Sequence, residues 1–225
     1  MEAANTRERL IEAAMELFVY RGYGQTGLAD IAKRAGVRPG SLYYFFPTKE
    51  DLLAATLERR KQLLWPEVLQ PIWDRIDDPI ERVFALLDGY RQMLLMTEFS
   101  HGCPIGNLAI ELTESHPNAR RLIAENFDNW LAAVATCFRE ASGRLPDGAD
   151  PQQLAIFALT TMEGAVMMAR TYRNLDAYDA AITHFRDYVE RLLAAGTTWS
   201  APPQHTETTS RSQRHTVTGE PHGNA

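Results

Sequence analysis

Apolar residues recur along this chain with a period near 3.6, and no stretch alternates as a half-buried strand does. Residues 6–21 put Leu10, Ala14 and Leu17 on one stripe with Ile11, Met15 and Phe18 beside it, which predicts an amphipathic helix. Gly22-Tyr23-Gly24 ends it. Thr26 stands where an N-cap belongs for a short helix over 28–35, with Ile31 and Ala32 inward. Gly36 stops that helix, Val37-Arg38 turns, and Pro39 takes a favoured first position for the helix Ser41–Phe46. After Pro47, Thr48 with Asp51 three positions on is an acidic version of the capping box. It opens a helix from about 49 to 65 or beyond, carrying Leu52, Leu53, Leu57 and Leu64, and Pro66 and Pro71 leave its end open. Further helices are expected near 79–97, 104–115, 117–142, 151–174 and 177–195, with Asp78-Pro79, His116-Pro117 and Asp150-Pro151 as start signals.

The pattern predicts an all-α protein: a three-helix helix-turn-helix unit over 1–48 and a larger helical unit over 49–196. From 197 to 225 the composition shifts to Thr, Ser, Pro, Gln and His, the signature of a disordered tail. No apolar run approaches the roughly 20 residues of a membrane span, so no membrane partner is expected. Glu12 and Glu16 interrupt the first apolar stretch, which rules out a signal-peptide core. Two cysteines, Cys103 and Cys137, fit a reducing cytoplasm rather than a disulfide framework. There is neither metal-ligand spacing nor a glycine-rich phosphate loop, so no cofactor or metal is expected.

A net charge of −6 looks unsuited to a nucleic-acid partner until its distribution is read. Residues 1–50 hold seven cations and six anions, four of the anions in the opening helix, so the acidity belongs to the rest of the chain. Screening confines charge effects to about 8–10 Å at physiological salt, so a local basic face can still bind phosphate. Residues 28–46 supply that face, as two short helices joined by a tight glycine-containing turn, the layout that lowers its second helix into a major groove. Ser41 suits a base edge, Tyr43 and Tyr44 suit phosphates and thymine methyls, and Lys33, Arg38 and Lys49 suit phosphates at the helix ends. Thr26 adds a hydroxyl and a helix N-terminus suited to an anion. Leu42 and Phe46, four apart, belong to the core. Such a motif occurs in many bundles; a Tyr-Tyr pair on so short a helix, framed by Arg38 and Lys49, favours DNA.

The run Thr26-Gly27-Leu28-Ala29-Asp30-Ile31-Ala32-Lys33-Arg34-Ala35-Gly36-Val37, followed by Gly40-Ser41-Leu42-Tyr43-Tyr44-Phe45-Phe46-Pro47-Thr48-Lys49-Glu50-Asp51-Leu52-Leu53, closely resembles the signature of the TetR family. The resemblance implies a homodimer on a palindromic double-stranded operator, released when a small-molecule effector binds the second unit. It places Thr26, Tyr44 and Lys49 at phosphate-contacting positions and Arg38, Gly40, Ser41 and Tyr43 in the segment facing bases or nearby backbone. Two positions depart from the pattern: Gly27, where a hydroxyl residue is common, and Phe45, where His is common.

For the effector, the expected pocket set is rich in rings and thioethers: Phe84, Tyr90, Met93, Met96, Phe99, Phe127, Trp130, Met162 and Met167, with Asn107, Glu111, Glu163 and Arg170 as polar groups. Taken singly, each of the apolar residues is better explained as core. The stretch from Gly102 to Leu112 is similar to electrophile-responsive members of the family that resemble the N-ethylmaleimide-reductase repressor. Cys103, just ahead of Pro104, sits where a helix dipole can lower a thiol pKa, although a packed small thiol fits the position better. Phe157, Thr161, Ala165 and Met168, then Ala181, Phe185, Tyr188 and Leu192, form stripes suited to a two-fold four-helix interface, with Ala158 and Gly164 allowing close approach. The other classes are a helical interaction module without DNA binding and a thiol-dependent enzyme; no ordered nucleophile–base set supports the latter.

Overall fold

In the computed structural model, residues 2–112 and 116–195 are described, and they form ten α-helical segments and no strand. The expectation for 197–225 lies outside the described residues. Helix α1 (Glu2–Arg21) buries Leu10, Ile11, Ala14, Leu17 and Phe18, the stripe its periodicity predicts. Helix α2 (Leu28–Ala35) ends at Gly36, whose φ of +64° is the left-handed conformation glycine adopts without strain. Helix α3 (Pro39–Phe45) starts on Pro39 itself, two residues ahead of the expected body. Helix α4 (Lys49–Leu63) opens on the expected capping box: the Thr48 hydroxyl accepts from the Asp51 N–H at 3.1 Å and the Asp51 carboxylate accepts from the Thr48 N–H at 3.0 Å.

Helix α4 does not stop near Trp65. Its path continues through a π-helical turn, Leu64–Leu69, into α5 (Gln70–Trp73). Pro66 and Pro71 cannot donate to the ladder, and the widened turn absorbs the missing bonds without breaking the rod. The larger unit adds α6 (Pro79–Met96), α7 (Pro104–Glu111), α8 (Pro117–Glu140), α9 (Pro151–Tyr172) and α10 (Asp176–Ala195). Asp78 and Asp150 cap α6 and α9 through their carboxylates, as their X-Pro signals predict.

Two hydrophobic clusters organise the chain. One gathers α1 to α3, the first half of α4, and Cys103, Ile105, Leu108, Ala119, Leu122 and Ile123, so the core runs unbroken across positions 48 and 49. The other lies among α6, α8, α9 and α10. There Tyr178 donates its hydroxyl to the Leu87 carbonyl at 2.6 Å, and Arg91 grips Asp179 through two bonds of 2.8 and 3.0 Å, tying α10 to α6. Several residues of the expected two-fold stripes are spent here: Ala158, Ala165, Phe185 and Leu192 are buried inside one subunit. The apolar side chains left outside are Ile156, Phe157, Met167, Met168 and Tyr172 on α9 and Tyr188 on α10.

Candidate DNA-reading surface and effector cavity

Helix α3 is anchored through Leu42 and, just past its end, Phe46, with Phe45 packed against the same core. Leu42 and Phe46 are buried, whereas Tyr43 is 55% and Tyr44 80% exposed on the outer face. Exposing two tyrosines from a seven-residue helix forgoes burial that a packed aromatic normally gains, and it leaves both available to a partner outside the subunit. Lys33, Arg38 and Gly40 are exposed around them and Ser41 is half-buried. The other cations of this region are engaged: Arg34 pairs with Glu16 at 2.6 Å, and Arg9 donates to the Ala35 and Gly36 carbonyls, closing the end of α2. That capping role of Arg9 has no local sequence signal, since its partners lie 26 and 27 residues away.

Two expected phosphate contacts are placed differently. Thr26 is not the N-cap of α2; Gly27 is, and it caps with no side chain. The Thr26 hydroxyl points inward, donating to the Gly22 carbonyl at 2.7 Å, and the residue is 1% exposed. A small hydroxyl residue at the end of a tight turn satisfies a buried carbonyl more readily than it reaches outward. Lys49 donates its ammonium to the Tyr23 carbonyl and lies 4.0 Å from the Tyr23 ring centroid, so it fixes the α1–α2 loop rather than standing free. Burial pushes its pKa down, opposed by Glu111.

Glu111 also falls outside its expected role. It lines none of the cavities described below. From the C-terminal end of α7 its carboxylate accepts from the backbone N–H groups of Tyr23, at 2.7 Å, and Gly24. The glycines permit this approach: a Cβ on Gly22 or Gly24 would stand 3.0 or 2.9 Å from a Glu111 oxygen. The larger unit therefore holds the loop between α1 and α2 by one carboxylate.

The start of α7 borders a cavity in two parts. An outer cleft of about 370 Å³ is lined by Val68, Ile72, Leu86 and Met93, with Arg60, Glu67 and His101 as charged or polar groups. An inner chamber of about 30 Å³ is lined by Cys103, Phe127, Trp130, Asn126 and Glu163. Tyr90, Arg60 and Pro104 border both. Beyond Glu163, a polar hollow of about 460 Å³ takes in Phe99, Asn107, Met167 and Arg170, the last donating to Asn107 at 2.7 Å. The expected residues thus divide: Tyr90, Met93, Cys103, Phe127, Trp130 and Glu163 gather at the cleft and chamber, while Phe99, Asn107 and Met167 line the hollow. Met162 is fully buried core, Phe84 packs on Phe185, and Met96 is exposed at the end of α6. The pattern of periodicity can place a side chain on the inward face but cannot distinguish a core contact from a cavity wall.

Arg60 was not expected. Its signal was nevertheless present: Leu53, Leu57 and Leu64 form an i, i+4, i+11 stripe on which position 60 is the missing i+7 member, occupied by a cation.

The chemistry inside the chamber is governed by burial. Burial first, then the neighbouring Glu163 carboxyl, pushes the Cys103 thiol up to about 12, outweighing the N–H groups of Gly106 and Ile105 at the helix start. This direction is opposite to the lowering a helix dipole would give, and it fits the packed small thiol that the sequence favours at this position. Burial also raises the pKa of Glu163, with the Cys103 thiol as the hydrogen-bond partner that partly offsets it, and it raises Tyr90 well above the usual phenol.

The family model described as bacterial regulatory proteins, tetR family, matches residues 10–56, and one described as tetracyclin repressor-like, C-terminal domain, matches 79–185. An uncharacterised helix-turn-helix transcriptional regulator of Mycobacterium tuberculosis is 32% identical over 187 residues, spanning 80% of this chain and 92% of its own. The chain belongs to the TetR family. Proteins of the TetR family are DNA-binding transcriptional regulators, not enzymes; they bind operators and small-molecule effectors and act as dimers. The transcriptional repressor DhaR of Mycobacterium sp. strain GP1 is 26% identical across 81% of this chain and 91% of its own length. A TetR regulatory protein from Rhodobacter sphaeroides superposes with a TM-score of 0.73 at 26% identity, covering 80% of this chain and 97% of its own. Reduced NemR of Escherichia coli shares the fold at 23% identity, with a TM-score of 0.69 over 81% of this chain and 96% of its own. Among the described residues no helix is long and apolar enough to cross a membrane.

Proposed function

We propose that this TetR family member is a homodimeric repressor that grips a palindromic operator with its two α3 helices and lets go when a small molecule enters the cavity beside α7. Tyr43, Ser41 and Gly40 face the bases or nearby backbone, and Lys33, Arg38 and Tyr44 hold phosphates. The relative named as a repressor supports the direction of control. The carrying observation is that α7 reaches from one site to the other: Cys103 and Pro104 border the cavity, and Glu111 holds the α1–α2 loop. A ligand that displaces the start of α7 therefore shifts the loop on which α2 and α3 are set. Operator half-sites lie about 34–36 Å apart, so a modest rotation of each reading unit ends their match to successive grooves.

Gel-shift titration against the DNA upstream of the protein's own gene, at stated salt, tests the reading. Wild-type protein is expected to bind one duplex specifically, and Tyr44→Ala to weaken binding to that site and to unrelated duplex alike, roughly tenfold or more. A folded dimer with no affinity for any duplex would instead mark an interaction module.

A further inference from the structure

We propose that the inner chamber is the seat of an organic ammonium group, held by the Glu163 carboxylate among the rings of Tyr90, Phe127 and Trp130, with the apolar part of the ligand lying in the outer cleft. This rests on the reading of the cavity as the effector site. Apart from Arg60 on the wall it shares with the cleft, the chamber has the composition of a cation-binding box, in which ring faces attract a positive charge and a carboxylate neutralises it.

Glu163 is the observation that decides the charge. It is a mostly enclosed acid whose pKa burial raises and the Cys103 thiol lowers, and Arg60 on the chamber wall is not paired with it. One of its oxygens, Oε1, is buried without a hydrogen-bond partner, and the same is true of the Trp130 indole nitrogen on the chamber wall. Buried polar groups normally find partners, and a buried carboxylate without a countercharge is among the most costly arrangements in a protein interior. An acceptor and a donor left open around one void mark it as a place kept for a ligand.

The approach is also built for close packing. A Cβ on Gly106 would lie 2.1 Å from Glu163 Oε2, so the carboxyl rests directly against the backbone of α7. A cation drawn to Glu163 thus presses on the helix that reaches Glu111. Room for the remainder exists next door, because Tyr90, Arg60 and Pro104 separate the chamber from a cleft of about 370 Å³. Arg60 stands on that shared wall and donates to the Met15 sulfur at 3.8 Å. It makes an anionic ligand the rival that must be tested directly.

Three probes of equal length separate the cases: hexylamine, which is a cation at neutral pH, 1-hexanol and hexanoate. Binding to the full-length dimer, without DNA, is read by calorimetry. The expected order in wild-type protein places hexylammonium at least tenfold tighter than hexanol, with hexanoate weakest. Glu163→Gln is expected to bring hexylammonium to the level of hexanol while leaving hexanol unchanged. The wild-type ranking alone decides the matter should that variant fold poorly. Equal affinity for amine and alcohol, or preference for hexanoate, overturns the proposal. Tight hexylammonium binding that leaves operator affinity untouched sustains this proposal and defeats the release mechanism instead.

Discussion

At the scale of single residues, Glu163 sets stability against use. Folding raises its pKa through burial, so the native state holds its proton more strongly than the unfolded chain does. Stability linked to this group is therefore complete below the unfolded carboxyl value and declines as pH rises toward the raised native one. Glu163→Gln removes that decline and keeps an acceptor for the Cys103 thiol. Urea unfolding of the two proteins should match near pH 4 and diverge by pH 7, with the variant the more stable; a variant less stable at every pH would show that the carboxylate is structurally needed. Gly40 carries a similar lesson on α3. A Cβ there meets nothing within 4 Å, so no packing in the subunit requires glycine. Gly40→Ala should raise unfolding stability by up to about 1 kcal/mol through helix propensity. The same change should weaken operator binding about tenfold where backbone approaches DNA, and unchanged affinity would remove Gly40 from the contact surface.

At the scale of elements, α7 is the piece that only three dimensions explain. Its start was legible, because Cys103-Pro104 is a helix-entry signal, and the body of the reading unit was legible throughout: capping box, Gly36 stop and inward Leu42 all follow from local chemistry. What local pattern could not supply were bonds between residues far apart in the chain. Glu111 reads as one more inward polar group until Tyr23 and Gly24, 88 and 87 residues earlier, are found against it. Thr26 and Lys49 were drawn inward by the same loop. The π-turn after α4 was hidden for a different reason: two prolines leave the end of the helix open, and whether a rod breaks or widens depends on what it packs against. The latch itself can be tested. Hydrogen bonds to a charged acceptor contribute roughly 1.5–3 kcal/mol, less where solvent reaches them. Glu111→Gln, which turns an amide toward two N–H donors, should cost about 1 kcal/mol of stability. It should also blunt effector-induced operator release at least fivefold while leaving effector affinity unchanged. Full release in a folded variant would rule out this route of coupling.

At the scale of the whole molecule, the exposed apolar face of α9 is the surface on which the proposed homodimer would pair, and so set the spacing of its two reading units. Ile156, Phe157, Met167, Met168 and Tyr172 project from one side of a helix whose other side is buried in its own subunit, and Tyr188 of α10 stacks edge-on with Phe157 at 5.4 Å. An apolar stripe of this length calls for a partner, and in the proposed homodimer a second copy of the same helices would meet it isologously. Gly164 lies at the middle of the stripe, half-buried, with nothing within 4 Å of where a Cβ would be. Inside one subunit a large side chain at that point is harmless, and replacing glycine in a helix interior favours the helix by about 1 kcal/mol. Across a two-fold axis the same side chain meets its own copy. Gly164→Arg is therefore expected to keep the helical content and core of wild-type protein, to sediment as a single subunit, and to lose operator affinity by a hundredfold or more, since one α3 alone reads half a site. A variant that still sediments as a dimer would place the interface elsewhere; a single subunit that still binds the full operator tightly would show that the pairing does not set the grip.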